Sequence, residues 1–237
     1  MKNIAYTMLC IFITACAAPK PQAGDDRNGR LGTLLMFHEM LPGESERMVR
    51  YLVTDRFIRI DEGGGSPDYV LYDDEKQTIY NVVASDRSVL VMKHNANQAV
   101  TQKPQWKISS EASQLPIRNK VGSSKAEYIQ LSINGKTCVH AVAMKDLIPE
   151  AGAILQRYYR LLGHNLANTY SEDDIQQQHC DWAETTSGAE LVFNDGFPVR
   201  YWTSGNKQRF LVDFTPKIKF DPDVMKIPEG FETYGLE

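Results

Sequence analysis

The sequence predicts a single mainly β (α+β) domain: an antiparallel meander of about eleven strands with one helical insertion. Three observations predict it. Apolar and polar residues alternate with period two through most of the chain from Leu31 to Met144 and again from Phe197 to Phe220, with Gly, Asn and Asp turns between. The period changes to three and four only at about 147–183. After residue 30 no linker, composition break or repeat divides the 237-residue chain, whose 42% hydrophobic content suffices for one core.

The first segment stands outside the fold. Lys2 precedes a short apolar stretch, Ile4 to Ile13, too short to span a bilayer. It ends in Ile13-Thr14-Ala15-Cys16. That tetrad resembles the bacterial lipobox, an aliphatic residue and two small ones before a Cys. The resemblance implies cleavage after residue 15 and acylation of Cys16. Ala17 follows, where an Asp would signal inner-membrane retention, so the expected location is the outer membrane facing the periplasm. Several acyl chains would anchor the protein durably. Residues 16–29 then comprise the lipidated Cys and a tether rich in Ala, Pro, Gly and Asp, and 30–237 the folded domain.

The expected strands follow in order. Leu31–Met40 is a long apolar run. Glu46–Thr54 and Arg56–Asp61 alternate around a bend at Asp55. After the turn Glu62-Gly63-Gly64-Gly65 come Asp68–Asp73, Gln77–Val83 and Ser88–Lys93, joined by polar turns. Residues 94–124 are irregular, with a short edge strand at Trp106–Ile108 as a twelfth candidate. Asn134-Gly135 joins Glu127–Ile133 to Lys136–Met144 as a hairpin. Leu147, Ile148, Ala151, Ile154, Leu155, Tyr158, Leu162 and Leu166 then mark an amphipathic helix, interrupted near its end by Gly163. Ser171 caps a second helix carrying Ile175, His179 and Trp182. Strands resume at Glu190–Phe193, Phe197–Thr203 and Gln208–Phe214, and Ile218 and Phe220 continue the alternation.

Of the four cysteines, Cys10 leaves with the signal and Cys16 carries lipid, so Cys138 and Cys180 remain. In an oxidising compartment an even pair reads as one disulfide. Two alternatives stand beside it: two buried thiols, or a tetrahedral zinc site of Cys138, His140, His179 and Cys180, although Cys-x-His with His-Cys is not a usual zinc spacing.

The meander, the helical pair before the last strands and the closing Pro222-Asp223-Val224-Met225-Lys226-Ile227-Pro228-Glu229-Gly230-Phe231 are similar to the lipoprotein localisation factor (LolA/LolB-like) superfamily. The unit Asp68 to Val82, a strand, an acidic turn and a Tyr-bearing strand, is similar as well. The resemblance implies a curved antiparallel half-barrel with a helical lid, whose concave face holds a lipid or a lipoprotein acyl chain. Leu34–Phe37, Val89–Met92 and Phe210–Phe214 are apolar on both faces, as a cavity lining or a solid core would require. The family's N-terminal helix has no counterpart in residues 17–30.

Catalytic signatures are missing. No G-x-S-x-G, H-E-x-x-H, Walker loop or G-x-G-x-x-G occurs, and His38-Glu39 lacks a second His. Gly63-Gly64-Gly65 precedes a strand and reads as a hairpin loop. Glu172, Asp173 and Asp174 complement a helix N-terminus. His94 and His164 read as surface residues. No catalytic residue, metal or cofactor is assigned. A net charge of −4 without a basic stripe argues against nucleic acid. Two functions are expected: a lipid-anchored binding protein for a lipid or lipoprotein acyl chain, or an interaction lipoprotein docking on an envelope partner through its surface.

Overall fold

The computed structural model describes residues 30–94, 103–112, 125–167, 169–177 and 179–235. The signal, Cys16 and the tether lie outside them.

One open twelve-stranded sheet dominates. The strands are β1 (Arg30–Met40), β2 (Arg47–Val53), β3 (Phe57–Asp61), β4 (Tyr69–Asp73), β5 (Thr78–Val83), β6 (Ser88–Lys93), β7 (Lys107–Ala112), β8 (Ala126–Ile133), β9 (Lys136–Met144), β10 (Phe197–Thr203), β11 (Gln208–Phe220) and β12 (Glu232–Gly235). Their spatial order is β12-β6-β5-β4-β3-β2-β1-β11-β10-β9-β8-β7. The meander is therefore two runs of neighbouring strands, and the long strand β11 joins them by pairing with β1. Local turn chemistry sets the hairpins. Asn134 and Gly135 both take positive φ, 51° and 79°, the two-residue turn whose twist matches the flanking strands.

Three expectations about the strands are corrected. The pairing is mixed, because β12 runs parallel to β6. A chain returning from the far side of the sheet meets an edge in either direction, and local pattern does not encode which. The edge strand near Trp106 is real and longer, Lys107–Ala112, with every residue exposed. Glu190–Phe193 is not a strand: Ala189–Leu191 is helical and turns follow. Its alternation is too short to compete with the helical run it extends.

The helical layer comprises α1 (Pro149–Ala167), α2 (Glu172–Gln177), α3 (His179–Ala183), a π-turn at Glu184–Gly188 and α4 (Ala189–Leu191). It thus reaches Leu191, beyond the expected end near 183. Ser171 caps α2 as expected: its Oγ accepts from the Asp174 N–H at 3.2 Å, while Asp174 accepts from the Ser171 N–H at 3.0 Å. Gly163 does not interrupt α1; it is buried, and the helix continues four residues beyond it.

Period-two alternation sends the two strand faces to two cores. One face carries Leu35, Phe37, Val49, Tyr51, Ile58, Tyr72 and Ile79, which join Ile154, Leu155 and Tyr158 of α1. The other carries Leu52, Tyr69, Leu71, Val82 and Val89, which join Phe220, Met225 and, at the margin, Ile227 and Phe231 of the C-terminal segment. Strands β1 and β6, apolar on both faces, thus contribute to both cores, whereas β11 leaves Val212 exposed. Each fully buried aliphatic or aromatic side chain contributes roughly 1.5–3 kcal/mol. Two arginines fasten the layers. Arg157 of α1 holds Asp74 through two bonds, at 2.8 and 2.9 Å, and Arg59 bonds both Asp61 and the Val224 carbonyl.

Candidate functional site

Burial and strand order bring three groups of chemically capable side chains to the helical side of the sheet.

The first lines a cleft. The C-terminal half of α1 lies against the π-turn, and Gly163 is what permits it. A Cβ there would stand 2.3 Å from the Thr186 carbonyl oxygen. Across the gap, Trp106 Nε1 donates to Ser187 Oγ at 2.9 Å, which fixes the approach to β7. Between them opens a cleft of about 450 Å³ lined by Trp106, Ile108, Ala167 and Leu191 together with Lys103, Arg160, His164 and Glu190. Its surface is mostly apolar. Arg160 and Lys103 are exposed at its border, and Arg160 Nε bonds Glu190 Oε1 at 2.8 Å. The size falls in the range of small-molecule sites, roughly 300–1,000 Å³. π-turns inside helices recur at functional sites.

The second is a polar network within the core. Arg209 of β11 lies over the rings of Tyr159, Tyr201 and Phe37 at 5.0, 5.4 and 5.5 Å. Its Nη1 donates to the phenol oxygens of Tyr51, at 3.3 Å, and of Tyr159. Tyr51 in turn donates to Glu39 Oε1 at 3.2 Å. Glu184, in the π-turn, accepts from Tyr201 at 2.8 Å and from Lys207 Nζ at 2.7 Å. Burial pushes the Tyr51 and Tyr201 phenols well above their ordinary range, so both stay neutral donors. Burial alone would lower Arg209; the surrounding phenols and Glu39 outweigh it and keep the cation firmly charged.

The third is the cysteine pair. Cys138 and Cys180 form a disulfide. The ladder pairs Leu131 with Val139 and Ser132 with Thr137, which leaves Cys138 as an extra residue in β9. A Cβ at Gly188 of the π-turn would stand 3.2 Å from Val139 Cγ2, so Val139 faces the helical layer and alternation turns His140 to the opposite face. There His140 Nδ1 meets the Tyr128 hydroxyl at 2.6 Å and its ring stacks on Trp202 at 5.1 Å. Burial lowers its pKa. The four-residue zinc alternative is therefore not assembled; among the described residues Cys138, His179 and Cys180 come together without it.

The remaining sequence candidates fall as follows. Gly63-Gly64-Gly65 lies in the loop between β3 and β4. On α1, Tyr158, expected on the apolar face, is buried, and its neighbour Tyr159 is half-buried. His94 and His164 face each other with ring centroids 5.1 Å apart. The cleft and the Arg209 network were not foreseen. A glycine inside a helical pattern and a cation on the inward phase of an alternating strand were their only signals.

Fold and site together describe a mainly β domain, an open twelve-stranded sheet with a helical layer on one face and an apolar cleft beside that layer. No protein-family model and no curated protein matches the chain. Similar solved structures include an uncharacterized conserved protein from Thermus thermophilus. It is 10% identical with a TM-score of 0.46, over 89% of this chain and 93% of that one. PNGF-II, in two space groups, is also 10% identical with a TM-score of 0.44. The match takes in 87% of this chain but only 31% and 32% of PNGF-II, so the chain spans about a third of that protein.

Proposed function

We propose that this is a lipid-anchored, periplasm-facing binding protein of the LolA/LolB-like kind, a curved half-barrel that holds the acyl chain of a lipid or lipoprotein. The cleft of about 450 Å³ carries the reading. Apolar residues would bury an acyl chain, at about 0.8 kcal/mol per methylene, and the exposed cations Lys103 and Arg160 would meet an anionic headgroup. The face expected to hold the chain is largely packed against α1, so the ligand enters beside the helical layer. The protein binds and does not catalyse. Its attachment is through Cys16, and its place is the outer membrane. The test is native mass spectrometry of the full chain in mild detergent. Co-purified lipid is expected, and Ile108→Glu, at an exposed position lining the cleft, should lose it. A ligand-free wild-type mass sinks the reading. Cys16→Ala should abolish acylation and membrane attachment.

A second reading, docking on an envelope protein, is favoured by β7. It is an edge of the sheet whose every residue is exposed, and an extended partner segment could pair with it.

A further inference from the structure

The disulfide has a third potential ligand beside it. A ring nitrogen of His179 and the sulfurs of Cys138 and Cys180 all lie within 4.8 Å of one another. Nε2 of His179 is buried and has no hydrogen-bond partner among the described residues. Buried polar atoms almost always find a partner, so an orphan of this kind calls for a reason. Two sulfurs and an imidazole are a donor set suited to Zn²⁺ and its relatives. We propose that Cys138, His179 and Cys180 form a redox-gated site for a thiophilic cation of the Zn²⁺ class. It is closed by the disulfide when oxidised and open to metal when reduced.

The chemistry balances with a dithiol as reductant. Two electrons and two protons pass to the Cys138–Cys180 bond, which breaks to two thiols, while the reductant closes its own disulfide. Metal binding then releases both thiol protons to solvent. Two Zn–S bonds of about 2.3 Å and one Zn–N bond of about 2.0–2.1 Å form, and water completes the tetrahedron. In that geometry the sulfurs separate to about 3.8 Å. The two sides of the site differ in how far they can yield. Cys138 sits in β9, paired with β8 and β10. His179 and Cys180 open α3, a helix of five residues. Cys138 has no exposed surface and Cys180 only 7%. Reduction and metal entry therefore require local opening where α3 begins, since Trp182 and Ala183 further along it are buried in the core and run on into the π-turn.

The test uses the full chain carrying Cys10→Ser and Cys16→Ser, so that only Cys138 and Cys180 supply thiolates. After reduction with a phosphine and anaerobic removal of the reductant, Co²⁺ is titrated while thiolate-to-cobalt charge-transfer absorption is followed. The expected result is one equivalent bound by the reduced protein and none by the oxidised protein. His179→Gln should weaken binding by about tenfold or more. No charge-transfer band in the reduced protein, or equal affinity in His179→Gln, overturns the proposal. Circular dichroism guards against loss of fold. If reduction unfolds the chain, recovery of the native spectrum with one equivalent of Zn²⁺ supports the site, and failure to recover overturns it.

Discussion

Arg209 on β11 and Glu39 on β1 stand directly opposite one another in the sheet, and the Tyr51 phenol joins them. The phenol accepts from the guanidinium and donates to the carboxylate, so charge on the helical face of the sheet is balanced through a neutral group. Such a network acts as a unit, since each member satisfies another.

Tyr51→Phe should therefore cost about 1–2 kcal/mol in urea unfolding, because a charged donor and a carboxylate both lose a partner. A double-mutant cycle of Glu39→Gln with Arg209→Met should show a coupling of roughly 0.5–3 kcal/mol. Simple additivity would mean that the two residues act independently.

Gly163 and Gly152 lie on the same helix and should respond oppositely to Ala. At Gly163 the new Cβ meets the Thr186 carbonyl oxygen at 2.3 Å, so α1 and the π-turn must part. A loss of roughly 1–3 kcal/mol is expected from such overpacking. At Gly152 the nearest atom is a Phe197 ring carbon at 3.5 Å, an ordinary contact. There the helix propensity of Ala should stabilise by up to about 1 kcal/mol. Thermal unfolding of both variants checks the contrast.

The Cys138–Cys180 bond spans a sequence separation of 42. Cys138→Ala with Cys180→Ala should lower stability by roughly 3–4 kcal/mol on the chain-entropy account. Chemical denaturation against the oxidised protein measures it. An unchanged midpoint would show that the helical layer needs no covalent tie to β9.

Asp61, Asp73 and Asp74 set the acid limit. Burial would raise each carboxyl, but hydrogen bonds from Arg50 and Arg59, from Arg56, and from Arg157 outweigh it and hold all three below the usual carboxylate range. A carboxylate whose folded pKa is depressed stabilises the fold fully above its unfolded pKa. That stability is lost as pH falls through the folded value. Unfolding free energy should thus be flat near neutrality and fall below about pH 4. Asp74→Asn should lower stability at pH 7 and flatten the acid slope. A slope identical to wild type would remove Asp74 from the account.

Most strands up to β11 were legible as period two, since alternation and Asn-Gly or Asp-rich turns are local properties. The helix over Ile154, Leu155 and Tyr158 was equally legible from its 3.6-residue period. The stretch Glu190–Phe193 misled because four residues fit a strand and a helical continuation equally well. Nothing local marked Glu232–Gly235 as a strand beside β6, because its partner lies about 140 residues away in sequence.

The sequence by itself determined the β meander, its hairpin turns and the helical insertion, since each depends on residues near one another along the chain. It also presented Cys138 and Cys180 as the pair to be joined. Only the tertiary structure decided which face each apolar strand residue covers, and that a bulge sends Cys138 to α3 while His140 turns away. It alone placed Trp106, Gly163 and Ser187 around one cleft, and put a tyrosine between Arg209 and Glu39. Those outcomes depend on register shifts and on contacts between distant segments, where the energy of packing, not local preference, selects the arrangement.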